Sequence, residues 1–386
     1  MASPPKFSVD DVNRFLDRVP FSVTGAALIA AYSFYKARSF LGPSLHFVDH
    51  VRANRWLSAL LAFVALKALH RTLNRLTRNN GWRADPPKWS FDKGQGDVVL
   101  ITGGSTGIGK EMVEILAGKT NKIAVLDLAP PTYDAHGVKY YKCDITDATA
   151  IAEVAKQVRA EVGEPTILIN NAGIARGKKI LDVTPEEFLL TYKVNVVGAL
   201  NILREFLPHI IKINHGHIMT TASSASYAAI PQLSEYSCSK AAVLALHETL
   251  TGELKHRYNA PRVRTSVICP TKVSTQMGDA MKDTDNQFLS PTLDARWLAR
   301  QMVHIVESGL SDHLVAPHYA HLLLPNLRSL PDYFRWLVAT VGKTHDIITD
   351  ERNAVQMKTY KLVGELDKKH GFESVVPKPL EGAHES

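Results

Sequence analysis

The chain has 386 residues, 45% of them hydrophobic, enough for a sizeable buried core and far from the composition of a disordered chain. Three cysteines, Cys143, Cys238 and Cys269, are too few and too scattered for a disulfide framework or a metal cluster, and read as small buried hydrophobes in a reducing compartment. The formal charge is +7, yet residues 1–93 hold 14 Lys/Arg against 6 Asp while the remaining 293 hold 31 basic and 32 acidic groups, which argues against a nucleic-acid surface on the body of the chain.

Two apolar stretches come first. Residues 19–35 (VPFSVTGAALIAAYSFY) run 17 residues without a charge, and 56–66 (WLSALLAFVAL) run 11 before Lys67, His70, Arg71, Arg75 and Arg78. The first is at the lower edge of what crosses a bilayer, and the second is too short to do so alone. Neither has the short basic start and small-residue cleavage site of a signal peptide. Cationic side chains beside apolar helices suit an anionic lipid surface, each adding roughly 1 kcal/mol of attraction. The expectation for 1–93 is a membrane-attachment region and linker, either monotopic or a re-entrant hairpin turning near Gly42-Pro43. The alternative is that both helices pack on the globular part.

From Asp97 onward short β-rich runs alternate with amphipathic stretches. VVLIT (98–102), KIAVLD (122–127), VKYYKC (138–143), TILIN (166–170), GHIMTT (216–221) and VRTSVIC (263–269) read as buried strands, with HLVAP (313–317) as a seventh. Segments near 108–118, 147–162, 185–212, 234–258 and 292–309 have helical length and spacing. This alternation predicts an α/β doubly wound parallel seven-stranded sheet with helices on both faces, spanning 94–320, plus the N-terminal membrane-associated helices. The alternation stops near 320. HLLLPNLRSLPDYFRWLVATVG (321–342) is apolar and aromatic, able to cover a cleft, bind lipid, or both, and the polar last twenty residues are expected to fray. His215, His217, His247 and His256 show no ligand-like grouping, so no metal is expected and they are assigned to surface or loop positions.

Thr102-Gly103-Gly104-Ser105-Thr106-Gly107-Ile108-Gly109 follows the first strand and opens a helix. Glycines there permit a tight turn, close approach of backbone to pyrophosphate, and dense helix packing, while the helix N-terminus offers N–H groups and a positive dipole end. In that position the motif points to a Rossmann dinucleotide site, with Gly103, Ser105, Gly107, Ile108 and Gly109 against the cofactor. Asp127 ends the second strand, 18 residues after Gly109. A carboxylate there accepts both ribose hydroxyls of NAD and repels the 2′-phosphate of NADP, and Leu128 rather than an arginine follows it. NAD is therefore favoured over NADP.

TGGSTGIG, Cys143-Asp144-Ile145, Asn170-Asn171-Ala172-Gly173, Val194-Asn195 and Tyr236-Ser237-Cys238-Ser239-Lys240 occur in an order and spacing that resembles the short-chain dehydrogenase/reductase family over roughly 94–320. The resemblance implies that Asp144 meets the adenine amino group and that Asn171, Ala172 and Gly173 lie under the adenosine ribose. Tyr236 and Lys240, four apart, share one helix face. A free tyrosine is too weakly acidic to act as a base at neutral pH, and a nearby ammonium lowers its pKa. The family spacing selects Ser223, thirteen residues earlier, over its neighbour Ser224 as the hydroxyl that polarises the substrate oxygen. Asn195 matches the family asparagine that orders a water in a proton relay. In Cys269-Pro270-Thr271-Lys272-Val273-Ser274-Thr275 the resemblance gives the nicotinamide carboxamide to the Val273 backbone and the Thr275 hydroxyl. Thr271 stands where the family usually has glycine.

The apolar N-terminal region and the 321–342 segment resemble the membrane-associated branch with retinol dehydrogenases and lipid-droplet 17-beta-hydroxysteroid dehydrogenases. That implies a lipophilic alcohol or carbonyl substrate (retinoid, steroid or long-chain lipid), an endoplasmic-reticulum membrane or lipid-droplet surface, and a catalytic domain facing the cytosol. Two alternatives stay open: an NADPH-dependent 3-ketoacyl or ketosphingoid-type reductase, against which Asp127 argues, and a catalytically silent membrane scaffold. A homodimer through the helices near 185–212 and 234–258 is expected from relatives.

Overall fold

The computed structural model describes residues 22–81, 89–91 and 96–341 except 135, 285, 286, 289 and 322, together with 12, 15, 16, 347 and 348. The polar tail falls outside the described residues. Two compact units are present, residues 5–84 and the bulk of 85–386.

In the first unit α1 (Val23–Leu41) and α3 (Arg55–Arg78) contact each other, with short α2 (Phe47–Ala53) between them. Capping sets the starts: the Ser22 hydroxyl accepts from Gly25 N at 2.9 Å and the Asn54 side-chain Oδ1 from Leu57 N at 3.1 Å. Gly42, at φ +97°, ends α1 in a conformation that side chains rarely adopt. Small residues Gly25, Ala26 and Ala30 are buried on α1, and Leu57 and Val64 on α3. Large apolar groups remain outside: Tyr32, Tyr35 and Phe40 on α1, and Trp56, Phe63, Leu66 and Leu69 on α3. The 11-residue run at 56–66 thus sits in a 24-residue helix, because Lys67, Arg71, Arg75 and Arg78 continue it without a breaker. By length and composition α3 could cross a membrane, with only 11% of its apolar window buried.

The second unit carries a seven-stranded, wholly parallel sheet in the order β3-β2-β1-β4-β5-β6-β7. Its strands are β1 (Val98–Thr102), β2 (Ile123–Asp127), β3 (Val138–Lys142), β4 (Pro165–Asn170), β5 (His217–Thr221), β6 (Arg264–Pro270) and β7 (His313–Ala316). Alternate residues of β1 feed two cores: Val99 and Ile101 face α4 (Gly107–Ala117) and α9 (Ala295–Ser308), whereas Leu100 faces α5 (Ala148–Glu161) and α7 (Ala199–Ile213). Central strands buried on both faces need continuous apolar runs, hence VVLIT and IAVLD. Each fully buried Leu, Ile or Phe adds roughly 1.5–3 kcal/mol. The helices answer with apolar rows at helical spacing, such as Ile151, Val154, Ala155 and Val158 on α5, whose start Asp147 caps.

Four readings change. The 138–143 run is an edge strand rather than a buried one, so Lys139 and Lys142 are exposed while Tyr141 points inward. The single helix read over 185–212 is α6 (Pro185–Tyr192), a π-helical stretch (Lys193–Gly198) and then α7. And His217 and His247 are buried, not peripheral: His217 lies inside β5 with Nε2 2.9 Å from Ser266 Oγ, and burial pulls it down to about 3. Cys143 and Cys269 are buried as expected, but Cys238 is exposed.

Candidate active site

Strand order reverses between β1 and β4, and in a doubly wound sheet the crevice beyond the strand C-termini at that point is where ligands bind. A cavity of about 580 Å³ opens there. Its floor at the first turn is Gly103, Gly107 and Ile108, where φ of +66° at Gly103 and +58° at Gly107 requires residues without a side chain. A Cβ on Gly103 would sit 2.8 Å from Ala172 Cα, and one on Gly109 would sit 2.0 Å from Gly103 O. The loop is therefore folded so tightly that neither position admits a side chain. The N-terminus of α4 faces it with a positive dipole end.

Asp127 and Asp144 line the same cavity. The Asp127 carboxylate accepts from Ser105 N at 3.0 Å and from Ala129 N at 3.4 Å. Burial raises its pKa, and those amide bonds oppose the rise. Asp144 accepts from Thr146 N and Thr146 Oγ1, which fixes the turn after β3. Asn171 Nδ2 donates to Gly103 O at 3.1 Å and its Oδ1 accepts from Thr221 Oγ1, tying the ends of β1, β4 and β5 together. Ala172, Gly173, Val273 and Thr275 complete this part of the wall.

At the other end Ser223, Tyr236 and Lys240 converge. Ser223 ends an extended segment after β5 and opens a 3-10 turn (Ser224–Ser226), its hydroxyl accepting from Ala225 N at 3.1 Å. Tyr236 and Lys240 project from α8 (Ser234–His256). Burial pushes the Tyr236 phenol up to about 12, and a hydrogen bond with Ser223 works against it. Ser224 also lines the cavity, whereas it is the Ser223 hydroxyl that caps the 3-10 turn. The Lys240 ammonium donates to Thr221 O at 2.8 Å and lies 5.6 Å from the Tyr236 ring centroid; burial lowers it to about 8.

Not every sequence-derived residue reaches the cavity wall. Ser105 is fully buried behind it, its hydroxyl donating to Ala129 O, and Gly109 packs under Gly103. Asn195 lies in the π-helical stretch, buried, with Oδ1 accepting from Ile174 N and Nδ2 donating to Ile174 O and Ser239 Oγ. Gly173 is what lets it approach the lysine: a Cβ there would be 3.2 Å from Asn195 Oδ1 and 3.4 Å from Lys240 Nζ.

Other groups had no sequence signal. Glu235, fully buried beside Tyr236, accepts from Arg176 N and Gly177 N and so fastens the loop after β4 to the start of α8; burial raises its pKa. Lys272 donates to Met281 O and Asp283 Oδ1, closing the loop after β6. The segment after β7 adds an apolar wall of Leu323, Leu324, Leu337, Val338 and Val341, the last three from α10 (Asp332–Val341). Among the described residues no cluster of three or more His, Cys, Asp or Glu could hold a metal.

A family profile described as short chain dehydrogenase matches residues 97–286. Dehydrogenase RED2 of Cochliobolus heterostrophus is 40% identical over 208 residues, covering 53% of this chain and 77% of that protein. The chain belongs to the short-chain dehydrogenase/reductase family. Human estradiol 17-beta-dehydrogenase 11 is 32% identical over 223 residues, covering 54% of this chain and 71% of the relative. A solved short chain dehydrogenase from Burkholderia cenocepacia in complex with NADP aligns with a TM-score of 0.53 at 25% identity, over 65% of this chain and 99% of the other. The chain is an NAD(P)-dependent oxidoreductase.

Proposed function

We propose that this oxidoreductase interconverts a lipophilic alcohol (retinoid, steroid or long-chain lipid) and its carbonyl, with NAD favoured over NADP, at a membrane or lipid-droplet surface. The observation that carries the reading is one cavity lined by the glycine turn, by Ser223, Tyr236 and Lys240, and by leucine and valine side chains. In this reading the glycine turn and α4 take the pyrophosphate, Asp127 the adenosine ribose hydroxyls, and Asp144 the adenine. Asn171, Ala172 and Gly173 form the floor, and Val273 and Thr275 hold the carboxamide. When bound, the nicotinamide supplies the hydride acceptor or donor at C4 and, when oxidised, a positive charge near the phenol. Tyr236 exchanges the hydroxyl proton of the substrate, and Ser223 donates a hydrogen bond to the same oxygen. Lys240, whose ammonium lies 5.6 Å from the Tyr236 ring centroid, supplies the positive charge that favours the phenolate, and Asn195 steadies the proton path behind it. Roles for 1–93 as the membrane-attachment region, 94–320 as the catalytic domain and 321–386 as an apolar extension with a polar tail belong to the same proposal. So do an endoplasmic-reticulum or lipid-droplet location, with the catalytic domain facing the cytosol, and a homodimer. The exposed apolar side chains of α1 and α3 and the cations of α3 support the lipid surface; exposed Leu189 and Leu200 on α6 and α7 support the dimer.

The test is NAD-coupled turnover by the detergent-solubilised full chain against retinoids, steroids, long-chain alcohols and 2-butanol. Burial is worth about 0.8 kcal/mol per methylene, so kcat/KM for a long-chain alcohol is expected to exceed that for 2-butanol by about 100-fold or more. A preference for 2-butanol or for polar polyols would overturn the lipophilic assignment.

A further inference from the structure

Beyond residues 97–286, the stretch the family profile covers, the chain returns to the site from outside. After β7 it makes 3-10 turns at His318–His321 and Leu327–Ser329. Ala320 and Leu327 are buried, and Leu324 packs on a small cluster that includes Tyr227, Val243 and Leu244. Between that anchor and α10 stands Arg328. Its Nη2 donates to Ser226 O at 2.9 Å and its Nε to Tyr227 O at 3.2 Å. Those carbonyls end the 3-10 turn that Ser223 opens. The same turn is held at two further points: Ser226 Oγ donates to Lys240 O at 2.8 Å, and Tyr227 Oη is 2.6 Å from His313 Nε2 on β7.

We propose that Arg328 is a positioning residue, whose guanidinium fork fixes the turn bearing Ser223 and thereby sets where the Ser223 hydroxyl meets Tyr236 and the substrate oxygen. The inference rests on the proposed role of Ser223. Helix α8 and β7 hold the turn's side chains, whereas Arg328 holds its backbone carbonyls. A planar guanidinium matches two adjacent acceptors, and an ammonium, a point charge, satisfies one fully. The Ser223 hydroxyl accepts from Ala225 N inside the turn, so tilting the turn moves the hydroxyl with it. A misplacement of about 1 Å costs up to about 100-fold in rate. Arg328 is exposed and two other ties remain, so about tenfold in kcat is expected.

Full-chain Arg328→Met and Arg328→Lys test this by kinetics on the panel alcohol the wild type turns over fastest, NADH titration, and hydrogen exchange of peptides covering 222–230. Expected for Arg328→Met are about tenfold lower kcat, NADH affinity within twofold of wild type, and at least tenfold faster exchange at the Ser226, Tyr227 and Ala228 amides, with the sheet unchanged. Millimolar guanidinium is expected to restore part of the kcat, and Arg328→Lys to retain part of it. Wild-type kcat despite fast exchange, unaltered exchange at the turn, or exchange raised across the whole sheet would each overturn the proposal. Exchange needs no substrate, so absence of turnover on every alcohol would defeat the functional reading while the turn amides still decided whether Arg328 holds the turn.

Discussion

Gly109 lies beneath the glycine loop, where an added Cβ meets Gly103 O at 2.0 Å, Asn171 Nδ2 at 2.8 Å and Gly103 C at 2.9 Å. Non-bonded heavy atoms settle at about 3.5–4.0 Å, so in Gly109→Ala either the loop or the helix start must yield by more than about 1 Å. Overpacking of this kind costs roughly 1–3 kcal/mol. Displacing Gly103 O also weakens the bond it accepts from Asn171 Nδ2, worth about 1 kcal/mol. The sum, about 2–4 kcal/mol, falls on the loop that the dinucleotide must use, so NADH affinity should drop at least about tenfold along with the urea midpoint. Gly252→Ala is the internal control. That glycine is inside α8 with nothing within 4 Å of the added Cβ, and the substitution should stabilise by about 0.5–1 kcal/mol. Urea melts and NADH fluorescence titrations read both. Wild-type midpoint and NADH affinity in Gly109→Ala, or an equal loss in Gly252→Ala, would refute the packing argument.

Three further outcomes follow from the site. Asp127→Ser should lower the kcat/KM preference for NAD over NADP at least about tenfold, and losing the carboxylate acceptor of Ser105 N should cost about 1 kcal/mol of stability; an unchanged preference would remove Asp127 from cofactor selection. Lys240 is depressed from 10.5 to about 8, so between those values the unfolded chain binds the proton and the folded chain does not, and stability rises with pH by up to about 1.4 kcal/mol per unit relative to Lys240→Met. Tyr236, raised from 10.0 to about 12, acts oppositely and only above pH 10, so the wild-type minus Lys240→Met difference in urea melts should climb from pH 8 to 10; a flat difference would mean the ammonium is not desolvated. Arg71→Glu with Arg75→Glu should weaken flotation with phosphatidylserine vesicles about tenfold or more and leave neutral vesicles unaffected, whereas unaltered flotation would separate these cations from lipid binding.

Much of this was legible because the physics is local. VVLIT, IAVLD and TILIN announce a parallel sheet since strands covered on both faces admit almost no polar side chain. Tyr236 and Lys240 are readable for a similar reason, as four residues on a helix bring two groups to one face. What was not legible depends on tertiary context. Nothing in VKYYKC says that its strand lies at the edge of the sheet among the described residues, where Lys139 and Lys142 are exposed. Lys193–Gly198 keeps nearly the spacing of an α-helix, so a π-helical insertion leaves no periodic mark, although it is what carries Asn195 toward Ile174 and Ser239. Residue type points His217 to the surface, whereas its place at the start of a strand buried throughout is what encloses it. Ser105 sat in a phosphate-binding pattern but is used to hold Ala129. Arg328 is one of two arginines in an apolar segment, and its partners lie about a hundred residues away.

The decisive measurement is Tyr236→Phe, which removes one oxygen and keeps the ring that lies near Lys240. Turnover of the preferred alcohol and NADH affinity are measured on the same detergent-solubilised preparation. Proton transfer by a positioned side chain contributes roughly 10²–10⁴-fold, so kcat should fall by about that factor while NADH binds within about threefold of wild type. A variant that keeps turnover within tenfold of wild type would show that the phenol of Tyr236 does not exchange the proton.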